Sequence, residues 1–233
     1  MEQSYKNVGY FFIIILAIVI WGFFRTYFGL FPSFNGITTV QHFHGIMMLA
    51  WFAMLIIQPF LIRYKKMELH RAIGKFSYVL VPFILWSIFL VMRGGYLRMA
   101  PVIPHEQNVG GLALNLPDIF AFGALYILAI VNKKNTAYHM RYIIGTSLLL
   151  IGPGIGRAFI IYGGMAFPTA IQYTMALTEA VCGTLIIYDI VKKQPYKPYI
   201  ITMLILIAMH LCWQFQMAGW WQVFAGRFAT LFF

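Results

Sequence analysis

Charge is scarce in this chain, and acidic charge scarcer still. Charged residues make up 10% of its 233 positions, and six Asp or Glu stand against 17 Lys or Arg. A soluble domain carries roughly 25% charged residues, so this chain cannot clothe a water-facing fold, and a soluble globular protein is excluded. Cysteine is nearly missing too. Cys182 and Cys212 both fall inside apolar stretches, away from the aqueous oxidising medium in which a structural disulfide forms, so they read as small packing residues. There is no clear internal repeat, low-complexity tract or nucleotide-binding motif. The GPGIG run at 152–156 lies within an apolar stretch and reads as a helix irregularity, not a phosphate loop. A net charge of +11 would suggest nucleic acid in a soluble chain. Here the basic residues crowd into short segments between apolar runs, which is a membrane pattern and implies no nucleic acid.

Apolar surface is what the chain has in excess: 61% of residues are hydrophobic and the mean hydropathy is +0.79. Since a span needs about 20 mostly apolar residues, the expectation is an all-α integral membrane bundle of seven transmembrane helices, at about 8–31, 38–62, 70–92, 112–131, 139–162, 168–191 and 198–224. The first is longer than a signal-peptide core and shows no small-residue cleavage site, so it reads as a retained anchor. Residues 1–233 then form one membrane domain without a soluble module. Lys6, Arg63, Lys65, Lys66, Arg71, Lys75, Lys133, Lys134, Arg141, Lys192, Lys193 and Lys197 fall on one side. Arg25, Arg93, Arg98, Arg157 and Arg227 fall on the other. That bias predicts a cytoplasmic amino terminus, an outside carboxyl terminus and a multi-pass protein of the inner membrane.

The stretch 38–82 holds three of the six histidines. His44, Trp51 and Gln58 are seven apart and share one helix face. His42 lies about 200° round from His44, so the two face one site only if the helix starts after His42. His70 and His139 open the third and fifth expected helices at one membrane depth, followed by Arg71 and Arg141. Two such imidazoles suit axial ligation of a b-type haem, with the arginines meeting its propionates; the competing reading is of interfacial or phospholipid-facing residues. Along the fifth helix His139, Tyr142, Thr146, Pro153 and Arg157 recur at helical spacing, the ends about 27 Å apart. Pro153 between glycines predicts a kink.

Asp118, Glu179 and His210 are ionisable groups expected within spans, each costly unless paired or neutral, and so candidates for catalysis. The simplest assembly sets Glu179 against His210, where the pair relays protons, ligates a metal or satisfies itself. His44, His105 and His42 are expected near Asp118 and Arg157, a donor set that would suit a transition metal such as Zn, Fe or Cu. The thirteen methionines invite copper but read better as packing.

The run 58–61 followed by HRAIGK at 70–75, with YHMRY at 138–142 and the later Arg157, resembles a family of uncharacterised bacterial multi-span membrane proteins. That family shows an H-R-x-x-G element and, two spans later, H-x-R-W/Y. The likeness covers about helices two to five. More loosely, the chain is similar to the haem-binding core of the cytochrome b561 type, which pairs histidines on neighbouring helices at both membrane faces. Helices two, three and five here do not each carry a second histidine about four turns away, so the likeness implies one haem rather than two. The leading expectation is a membrane redox protein that binds this haem between His70 and His139, or between His44 and a partner, and exchanges electrons with quinone. The rivals are an intramembrane metal-dependent enzyme acting on a lipid, and a non-catalytic accessory or assembly subunit of a larger membrane complex.

Overall fold

The computed structural model describes residues 5–233. Apart from two short 3-10 turns, the regular elements are α1 (Val8–Phe23), α2 (Thr39–Arg63), α3 (Met67–Met99), α4 (His105–Gly111), α5 (Leu116–Val131), α6 (Thr136–Leu148), α7 (Ile151–Ile161), α8 (Phe167–Val191), α9 (Lys197–Gln214) and α10 (Gly219–Phe232). Among the described residues six segments are long and apolar enough to cross a membrane: α2, α3, the His105–Val131 run joining α4 to α5, the Thr136–Ile161 run joining α6 to α7, α8 and α9. The chain is therefore an all-helical, multi-pass membrane protein. Its outward faces agree, with Ile14, Ile127, Ile187 and Leu204 all exposed.

The first and last expected spans differ from the helices found. α1 has 16 residues, about 24 Å at 1.5 Å per residue, against a hydrocarbon core of about 30 Å. The expected span 198–224 is interrupted, because α9 stops at Gln214 and α10 starts at Gly219. Packing explains the break. α10 turns onto α4, where Trp221 Nε1 donates to the Val109 carbonyl at 3.4 Å and Gln222 Nε2 to the Glu106 carbonyl at 3.1 Å.

Local chemistry fixes where α2 begins. Thr38 accepts from the Gln41 backbone N–H at 3.3 Å, and Gln41 Oε1 accepts from the Thr38 N–H at 2.8 Å, which is a reciprocal capping box. Thr38→Ala is expected to cost about 1 kcal/mol, read as a lower melting temperature in detergent.

The centre is filled by Trp51 against Phe122 and Tyr126, over fully buried Ile84 and Leu125. α1 meets α7 backbone to backbone. A Cβ on Gly22 would run into the Gly154 carbonyl, and one on Gly154 would come within 2.9 Å of Val19 Cα, as in small-residue crossings of membrane helices. Neither side can give way, so Gly22→Val is expected to cost about 3 kcal/mol. The expected readout is a broadened size-exclusion profile and a lower melting temperature; a wild-type melt would show that the crossing is not tight.

Candidate functional site

Two polar regions lie inside the bundle, one near the lysine-rich turns (Lys65, Lys66, Lys133, Lys134) and one towards α4. The first is built on His70 and His139. The α2–α3 turn passes through Lys65 at a φ of 57° and places His70 in the first turn of α3. Asn135 caps α6 by accepting from the Tyr138 N–H at 3.3 Å, which sets His139 at the start of that helix. His139 Nδ1 is 2.8 Å from the Ala129 carbonyl. A carbonyl has no proton to give, so Nδ1 donates and Nε2 keeps its lone pair. His139 is close enough to act electrostatically on His70.

His70 Nδ1 is buried with no partner. The Gln58 side chain, on the same α2 face as Trp51, has neither Nε2 nor Oε1 bonded, and Trp51 Nε1 is also unpartnered. Each such buried polar atom costs about 1–3 kcal/mol unless something satisfies it. These orphaned atoms fit a site that takes a ligand. Arg71, next to His70, is exposed and free to meet an anionic group.

Arg141 does not share that role. It is fully buried, and its guanidinium grips Asp189 through Nε–Oδ2 at 2.5 Å and Nη2–Oδ1 at 2.9 Å. Its Nη1 donates to the Ala137 carbonyl at 3.0 Å. Tyr5 donates to Asp189 Oδ1 at 2.7 Å, its ring lying 4.8 Å from the guanidinium carbon. Burial pushes the Tyr5 phenol well above its ordinary value, and contacts with Tyr199 and Asp189 add opposing effects, so it stays protonated and donates. Asp189 was not among the expected site residues. The available signal was a lone carboxylate beside Lys192 and Lys193, which reads as interfacial unless the matching Arg141 on another helix is noticed.

The second region is a cavity of about 730 Å³, between the end of α3, α4 and the helices α5, α7, α8 and α9. Its wall is mainly apolar, with Gln41, Arg98, Asn108, Asp118, Arg157 and Glu179 among its polar residues. The spanning run of α6 and α7 breaks there at Leu149 and Leu150. Pro153 has no N–H to return to the Leu149 carbonyl, and irregular backbone at membrane depth is tolerated where it lines a cavity. Asp118, in the first turn of α5, is half-buried on this wall. Arg157 turns Nη1 onto the Pro153 carbonyl at 3.3 Å and lies 4.1 Å from the centre of the Phe23 ring. Glu179 Oε1 is 2.8 Å from His210 Nδ1, so the facing pair expected from the sequence is in contact. His210 Nε2 is buried without a partner.

The three outer histidines do not gather. The capping box starts α2 before His42, so His42 and His44 diverge. His42 Nδ1 meets Tyr27 Oη at 2.9 Å beside the Phe34 ring. His44 Nδ1 meets Ser87 Oγ at 3.0 Å; that hydroxyl donates to the Ile84 carbonyl at 2.7 Å, so the imidazole is the donor. His105 is exposed at the start of α4. Among the described residues no three His, Cys, Asp or Glu side chains come together as metal donors, which corrects the expected site of His42, His44 and His105. Cys182 and Cys212 are free thiols, the first buried. No protein-family model, curated protein or solved structure matches the chain.

Proposed function

We propose that this chain is a membrane redox protein in which His70 and His139 hold one b-type haem and electrons pass to or from a lipid-soluble quinone. The observation that carries this reading is a pair of imidazoles close enough to act on each other: His139 donates Nδ1–H to the Ala129 carbonyl, and His70 has a buried, unbonded Nδ1. Histidine ligands characteristically use one ring nitrogen for the iron and the other for such an outer partner, which fixes tautomer and orientation. A haem held there would supply one-electron chemistry. The chain's own part is to orient the two rings and offer Arg71 to a propionate, while Arg141 stays with Asp189.

The same reading takes α1 as a seventh, short span. It sets the lysine-rich turns in the cytoplasm with the amino terminus, and places the protein in the inner membrane. The test is the visible spectrum of the purified protein after expression with abundant haem. A Soret band that shifts on adding dithionite is expected, and a colourless protein would overturn the proposal.

A further inference from the structure

We infer that the cavity towards α4 binds the reduced, hydroxyl-bearing headgroup of a lipid-borne quinol, with Glu179 accepting a hydroxyl hydrogen bond and His210 positioning that carboxylate. This rests on the quinone partner of the redox reading but not on the haem.

At about 730 Å³ the cavity falls within the range of about 300–1,000 Å³ usual for small-molecule sites, and a mainly apolar wall with a few polar groups is their usual lining. Asp118 and Glu179 both reach that wall. Glu179, paired with His210, is the one of the two held as a carboxylate, and an ionised carboxylate can only accept hydrogen bonds, so a ligand facing it must bring O–H or N–H groups. A quinol has two hydroxyls on one flat ring. A quinone has carbonyl oxygens only, and one of these facing Glu179 would meet it lone pair to lone pair. Arg157, on the same wall, can donate to a ring oxygen in either state, so the Glu179 carboxylate is what discriminates.

The Glu179–His210 contact suits the role. His210 is not part of the wall; it reaches Glu179 Oε1 through Nδ1 at 2.8 Å. It thereby fixes the carboxylate's rotamer and leaves the other oxygen for a ligand. A carboxylate that takes up a proton there keeps its hydrogen-bond contact with the imidazole rather than standing alone in apolar surroundings. Quinol oxidation breaks two O–H bonds and releases two protons and two electrons. The inference concerns only the hydrogen-bonded hydroxyl and its proton acceptor.

The experiment is binding of a short-chain quinol to the full-length protein in detergent, read by tryptophan quenching under anaerobic conditions, beside its dimethyl ether and the matching quinone. Saturable binding of the quinol at least tenfold tighter than the ether is expected. Glu179→Gln and His210→Phe should bring that ratio towards one while moving the melting temperature by only a few degrees, and His210→Gln, which retains an N–H donor, should restore part of the ratio. Ether and quinol binding equally, or an undiminished ratio in Glu179→Gln, would overturn the assignment. Should the wild-type visible spectrum lack haem while the ratio holds, the haem proposal fails and this one stands. Haem without quinol binding is the reverse case.

Discussion

His139→Ala is expected to abolish the haem spectrum outright, with no Soret band and no dithionite difference, in a protein that still folds. Ala129 contributes only its backbone carbonyl, so no side-chain replacement can remove the outer partner of His139 directly. The ring is therefore the point at which the site can be tested. His139 is half-buried, and its replacement removes one hydrogen bond, worth about 1 kcal/mol, so the melting temperature should move by only a few degrees. His70→Ala should give the same spectral loss with still less effect on stability, since the ring nitrogen removed is already unpartnered. Arg71→Ala should retain the bands and weaken haem retention several-fold, as expected when one charge-assisted contact is lost at an exposed position. His42→Ala, which touches Tyr27 and Phe34 instead, is the control that should leave the spectrum unchanged. Wild-type bands in both His70→Ala and His139→Ala would show that these imidazoles do not hold a haem.

The second large effect is structural. Asp189→Ala leaves the Arg141 guanidinium buried with its carboxylate gone, and breaking a buried pair from one side costs about 3–5 kcal/mol. Both side chains have 0% exposure, so neither water nor a shift of the side chain can replace the partner. The expected outcome is a strongly reduced yield of monodisperse protein, with a melting temperature far below wild type. Replacing the pair together, as Arg141→Met with Asp189→Leu, removes both desolvated charges and should recover most of the stability. A visible spectrum of that double variant matching wild type would place the pair outside the ligand site. Asp189→Ala melting like wild type would show that the pair contributes nothing to the fold.

The elements most legible in the sequence were those defined by long apolar runs between charged turns. The expected helix at 168–191 differs by one residue from Phe167–Val191, because basic residues follow it and Pro168 opens it. The contact of Glu179 with His210 was legible because two costly groups within spans have few ways of being satisfied other than by each other. The interruption after Gln214 was not. Hydropathy counts apolar residues, and the stretch through Trp220 and Trp221 remains apolar while the backbone turns to seat Trp221 on α4. The outer histidine cluster failed for a different reason. It needed α2 to start after His42, whereas the hydrogen bonds of Thr38 and Gln41 start the helix before either histidine. Asp189 was hidden because its meaning lies in a partner 48 residues away, and no local pattern carries that distance.

The amino-terminal helix acquires a mechanical role from the contacts at its two ends. Tyr5, just before it, is tied to the carboxylate that holds Arg141 on α6, while Gly22 and Phe23 press on Gly154 and Arg157 of α7. It thus splints the fracture at Leu149 and Leu150, coupling the two segments so that neither can swing without dragging the other. Loosening either fastening should let the cavity wall breathe.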